Sequence, residues 1–137
     1  MTTLRPTLRP TLRPTSPAGL TLRAAIVALA LATGWIHSTL GGLLFSLNAV
    51  GYVVAAAAMV APIGLAIHFR WFIRLGLIAY AATAIVAWYV MGPRYDIAYI
   101  AKAIEVALIA LLLVEVRAYD GNPLRRLRRP VHPAARA

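Results

Sequence analysis

The sequence predicts an all-α protein, a four-helix transmembrane bundle with both termini cytoplasmic. Three observations predict it. First, 61% of the 137 residues are hydrophobic and only 13% are charged. A water-soluble domain this apolar would expose large hydrophobic patches and aggregate. Second, the apolar residues gather into four stretches of about 20 residues, the length of helix that crosses a hydrocarbon core about 30 Å thick. Third, the basic residues lie in the segments that a four-span count places on one side. Inside lipid every backbone group must be bonded within a helix or around a closed barrel. Runs such as Val53–Ala61 lack the apolar–polar alternation that a barrel needs.

Residues 1–19 read as a basic tail in which Thr-Leu-Arg-Pro occurs three times, at Thr3–Pro6, Thr7–Pro10 and Thr11–Pro14. Proline at every fourth position removes donors and pushes the preceding residue out of the helical region. The repeat therefore predicts a disordered or extended, polyproline-like segment. The same spacing argues against an amphipathic organelle-targeting helix.

Residues 20–117 form the predicted membrane domain. Its first span is expected over 20–40, with Arg23 near its start. Ala30-Leu31-Ala32 has the small-residue spacing of a signal-peptidase site, but no hydrophilic mature domain follows, so the stretch reads as a span. Ala30, Gly34 and Ser38 recur every fourth residue, an edge that lets another helix approach closely. Gly41-Gly42 leaves a short connection, so the first two helices should be antiparallel neighbours. The second span is expected over 43–61, or to 67 if it continues past a kink at Pro62. Gly51 and Ala55 give it a small edge of its own.

The third span is expected over 71–91. His68, Arg70 and Arg74 border it on one side, and Trp71 and Trp88-Tyr89 lie near its ends, where amphipathic rings favour the headgroup level. The segment from Gly92 to Asp96 is a turn, and the fourth span is expected over 97–116. Residues 118–137 form a basic tail that opens with the helix-breaking Asp120-Gly121-Asn122-Pro123.

Thirteen arginines and one lysine face only Asp96, Glu105, Glu115 and Asp120. The N-tail holds Arg5, Arg9, Arg13 and Arg23, the middle connection Arg70 and Arg74, and the C-terminal flank Arg117 and the tail arginines. The connections after the first and third spans hold only Arg94. Basic residues stay on the cytoplasmic side, so both termini are expected there, in a prokaryotic cytoplasmic membrane. Arg125, Arg126, Arg128 and Arg129 are candidates for binding anionic lipid headgroups. The bilayer is the expected partner, with a larger membrane complex or a homo-oligomer as further partners; nucleic acid is not expected.

Two charges lie inside the fourth span. Counted from Asp96, Lys102 is roughly 9 Å in and Glu105 roughly 13 Å in. Three residues apart, they share a helix face and can pair. Asn48, Tyr52, His37, Thr83 and Tyr99 are expected in the same half of the membrane, and with Lys102 and Glu105 they form the predicted polar core. The other half should carry almost only alanine, valine, leucine and isoleucine. Ionisable residues within spans are functional candidates by default, although a purely structural ion pair fits the same spacing.

Cysteine is absent, which excludes disulfides, iron–sulfur clusters and cysteine catalysis. His37 and His68 should lie at opposite ends of the bundle, so they do not suit one haem iron or metal ion. No cofactor and no metal site is expected. No zinc-protease His-Glu pattern, phosphate loop or nucleophile elbow occurs, so no enzyme activity is expected.

Three segments, Phe45–Tyr52, Ala84–Arg94 and Tyr99–Leu108, together resemble a family of small four-helix membrane proteins of prokaryotes to which no activity is assigned. The resemblance rests on a histidine ending the first helix, Asn-x-x-Gly-Tyr in the second, a tryptophan closing the third and Lys-x-x-Glu in the fourth. It covers about residues 35–116 and implies four helices but no known activity. The connection after His37 is shorter than the resemblance implies. The function expected from the sequence is an interaction or accessory subunit. The alternative is an oligomeric transporter or proton-conducting unit using Lys102 and Glu105, and a membrane enzyme or haem protein ranks third.

Overall fold

The computed structural model describes residues 16–62, 64 and 68–120. The repeats of the N-terminal tail and the four arginines at 125, 126, 128 and 129 lie outside the described residues. Among the described residues there are four long helices: α1 (Pro17–Thr39), α2 (Leu43–Val60), α3 (Arg70–Met91) and α4 (Asp96–Asp120). Each is long and apolar enough to cross a membrane.

The helix ends follow from local chemistry. The hydroxyl of Ser16 accepts from the Gly19 amide at 3.2 Å, and Pro17 opens the helix with the ring that suits a first helical position. This cap starts α1 ahead of Leu20, the first strongly apolar residue. Gly41 and Gly42 have φ of 71° and 84°, a left-handed backbone that glycine adopts without strain. That conformation lets the chain reverse between Thr39 and Leu43. α2 ends at Val60 because Ala61, the C-cap, turns extended, with ψ 126°, ahead of Pro62; residues 63 and 65–67, over which the span could continue past the kink, lie outside the described residues. Gly92, also extended, ends α3 ahead of Pro93. Asp96 sits in the first turn of α4 and Arg117 in its last, each matched to the helix dipole.

The four helices form a ring in which α1 touches α2 and α4, and α3 touches α4 and, more lightly, α2. Successive helices run antiparallel. Gly34 near the end of α1 packs on Ala49 and Tyr52 of α2, and a Cβ on Gly34 would meet the Ala49 carbonyl and the Tyr52 Cβ at 3.3 Å. Ala30 and Gly34 of the expected small-residue edge are buried, whereas Ser38 is exposed. Gly51 of α2 lies under the Tyr80 ring of α3, and the Tyr80 hydroxyl donates to the Asn48 carbonyl at 3.1 Å.

The buried face of α4 reads Ala98, Ala101, Glu105, Leu108, Leu112 and Glu115. Their three-four spacing is the seam of helices packed nearly parallel to one another. Around it the core is Ile26, Ala30, Tyr52, Ala56, Met59, Leu77 and Ala81. Small residues at these positions let the helices close up, while Leu43, Leu44, Leu47, Val86, Val90 and Val106 point outward. This inversion of the water-soluble pattern is what a lipid-facing surface requires. The architecture is that of a small multi-pass membrane protein.

Candidate functional site

Two acids of α4, Glu105 and Glu115, are fully buried, and each gathers a polar cluster. They are ten residues apart, about 15 Å along the helix. One cluster lies toward the two tight turns, the other toward the chain termini.

Glu105 forms the turn-end cluster. Lys102, one turn earlier on the same helix, donates to Oε2 at 2.6 Å. Its ammonium also reaches the Ala84 carbonyl of α3 at 3.4 Å, so one cation links a carboxylate to a neighbouring backbone. Thr33 of α1 donates to Oε1 at 3.4 Å. His37, one turn beyond Thr33, places Nε2 3.7 Å from the same oxygen. Its Nδ1 lies 2.8 Å from the Thr33 carbonyl. A carbonyl only accepts, so Nδ1 carries a hydrogen and Nε2 holds either a lone pair or a second proton. The Tyr52 ring from α2 stacks beside His37 at 5.8 Å and against Tyr80 at 5.0 Å. Its buried hydroxyl lies next to the charge of Glu105 without a hydrogen bond of good geometry.

Glu115 forms the termini-end cluster. Oε1 accepts from Arg23 of α1 through Nε and Nη2, both at 3.4 Å, and from Arg74 Nη2 of α3 at 3.3 Å. Arg74 Nε lies 3.1 Å from Oε2, a charge contact whose N–H is not aligned for a hydrogen bond. The Arg74 guanidinium also lies over the Tyr119 ring, 5.3 Å from its centroid. Both arginines are largely buried, with 14% and 5% of their side chains exposed. One carboxylate therefore ties three helices together.

The predicted core is assembled only in part. Lys102, Glu105, His37 and Tyr52 converge. Asn48 contributes its backbone carbonyl to Tyr80. Thr83 is exposed and bonds the Ala79 carbonyl of its own helix at 2.8 Å. Tyr99 is exposed as well, its ring 5.1 Å from Trp88. Thr83 and Tyr99 lie on helix faces turned away from the seam, so neither joins the cluster. The expectation that the other half of the bundle carries almost only aliphatic residues is corrected by the buried Glu115 cluster. Sequence reasoning took Arg23 and Arg74 for boundary markers and passed over Thr33 and Glu115. The three-four spacing that carries Glu105 also carries Glu115, and it was the signal that could have found the second cluster. His37 is buried near the end of α1, whereas His68 is exposed just ahead of α3.

Comparison with protein-family models, with curated proteins and with solved structures returns no match. A functional reading therefore rests on the chemistry of these two clusters.

Proposed function

We propose that this is a multi-pass protein of the prokaryotic cell membrane that handles protons through the Glu105 cluster. The observation that carries the reading is the meeting of Glu105 Oε1 with His37 Nε2 inside the bundle. With Nδ1 committed to the Thr33 carbonyl, a deprotonated Nε2 would point its lone pair at a carboxylate oxygen. One proton, on Nε2 or on Oε1, turns that repulsion into an attraction. The ordinary charge change of an imidazole lies nearest to neutral pH, and Lys102 stands by to hold the carboxylate when the proton leaves. The distribution of arginines supports a cytoplasmic position for both termini. Reporter fusions at Arg70 and Asn122 should then report cytoplasm, and one in the turn at 92–96 the outside.

The test is proton flux. Purified protein in liposomes with a trapped pH dye should collapse an imposed gradient faster than empty liposomes. Glu105→Gln, close in shape but unable to titrate, should remove the excess rate. Equal rates for the variant and the original protein reject the reading.

A second reading, an accessory or self-associating subunit, is favoured by α3. It is the least buried of the four helices, and Gly76, Ala79, Thr83 and Ala87 lie exposed along one side of it. Small exposed residues suit close packing by another helix. Because the chain has no cysteine, Ala79→Cys provides a single cross-linking point. A cross-linked dimer or a linked second protein in membranes would support this reading, and uncross-linked monomer throughout would reject it.

A further inference from the structure

The termini-end cluster holds more guanidinium than Glu115 can match. Besides Arg23 and Arg74, Arg70 at the first position of α3 lies close enough to feel both of those charges and that of Glu115. Arg70 pairs with no carboxylate among the described residues, and its Nε is buried without a hydrogen-bond partner. The side chain as a whole is half-buried, so it borders the surface. Even with Asp120 and Glu115 both counted, this end of the helices has four arginines, Arg23, Arg70, Arg74 and Arg117, against two acids. Such a surplus is repulsive unless an anion joins it.

The same corner offers further positive potential. α3 begins behind Phe69 with no side-chain cap and no acid in its first turn. The positive end of the α3 dipole therefore faces this corner without a side-chain acid to offset it. Planar guanidinium forks suit an oxyanion with several acceptor oxygens, as in a phosphate. Glu115 already faces Arg23 and Arg74 with its carboxylate. A phosphate group at Arg70 would add acceptors without displacing that pair.

We propose that Arg70, backed by Arg23 and Arg74, binds a phosphate oxyanion at the termini end of the bundle. Its source is an anionic phospholipid headgroup or free phosphate. The site stands apart from the Glu105 cluster and does not depend on proton handling. It also differs from the tail arginines, which lie beyond the described residues.

Thermal unfolding of the full chain in mild detergent tests it. Three ligands are added separately: phosphatidylglycerol, phosphatidylcholine and inorganic phosphate. Phosphatidylglycerol should raise the midpoint of the unaltered chain, and phosphatidylcholine should do so much less. Arg70→Gln should lose most of the phosphatidylglycerol shift while its own midpoint without lipid stays near that of the original, because Arg70 takes no part in the Glu115 pairing. Arg70→Lys, which keeps the charge but not the fork, should lose part of the shift. Joint replacement of Arg125, Arg126, Arg128 and Arg129 by glutamine should retain most of it. A shift from inorganic phosphate equal to that from phosphatidylglycerol assigns the site to free phosphate. A full shift in Arg70→Gln, or its disappearance only in the tail variant, overturns the proposal.

Discussion

Glu115 is held by two guanidiniums, whereas Glu105 is held by an ammonium, a threonine hydroxyl and an imidazole. Both carboxylates are fully buried on the same seam of α4, so depth and burial do not separate them. What separates them is the chemistry of the partners. Arginine does not lose its proton in a protein, so both cations at Glu115 are permanent, and the carboxylate they share fastens α1, α3 and α4 in register. The partners of Glu105 are of three different kinds, and the proposed proton handling rests on that mixture rather than on burial. On the proposed reading, the guanidinium-held carboxylate is the lock that keeps the helices in place while the other handles protons.

The sharpest way to break this comparison is to remove the lock. Glu115→Leu leaves Arg23 and Arg74 facing each other in the bundle without their shared carboxylate. Loss of one partner from a buried ion pair costs about 3–5 kcal/mol. We expect Glu115→Leu to have the lowest unfolding midpoint of any single variant in mild detergent. A midpoint above that of Lys102→Leu would mean that the two guanidiniums reach the headgroups and that Glu115 is not the lock.

The next effect is smaller because the turn-end cluster can adjust. Lys102→Leu removes a charged hydrogen bond at 2.6 Å, a loss of about 1.5–3 kcal/mol, but His37 can take a proton in its place. Glu105→Leu should cost a similar amount, because it strands Lys102 on the Ala84 carbonyl. The double variant should recover much of either loss, since replacing both members of a buried pair by apolar groups is often neutral. Unfolding midpoints of the four proteins give the coupling directly. Additive losses would show that Lys102 and Glu105 do not act as a pair.

The difference between the two clusters also explains what the sequence could tell. Four apolar stretches and the placement of arginines were enough for four antiparallel helices, because length and hydropathy decide membrane crossing. Lys102 and Glu105 were legible as a pair because their spacing lies within one helix. Thr33 and His37 meet Glu105 across helices, and that depends on how α1 is rotated, which a nearly uniform apolar helix does not reveal. Thr83 and Tyr99 were placed in the core by depth alone. Depth fixes the level of a residue and says nothing of the side it faces, and both lie on outward faces. Arg23, Arg74 and Glu115 were hidden for a different reason. Near helix ends a charge is ordinarily read as a marker of the membrane boundary, although antiparallel packing sets the start of α1 and α3 level with the end of α4.

The smallest effect concerns the neutral donor of the turn-end cluster. Thr33 is fully buried and its hydroxyl reaches Glu105 at 3.4 Å, longer than a strong charged hydrogen bond. Thr33→Val keeps the shape and removes only the donor. Hydrogen bonds between membrane helices are worth on average about 0.6 kcal/mol, so the midpoint should fall only slightly, and far less than in Lys102→Leu. The carboxylate keeps its ammonium and its imidazole, so on the proposed reading proton flux should persist at a reduced rate. A loss as large as that of Lys102→Leu would mean that the hydroxyl, and not the ammonium, is the main support of the Glu105 charge. A variant as stable and as active as the original would show that the contact is only packing. In that case His37 and Lys102 alone would distinguish this carboxylate from Glu115.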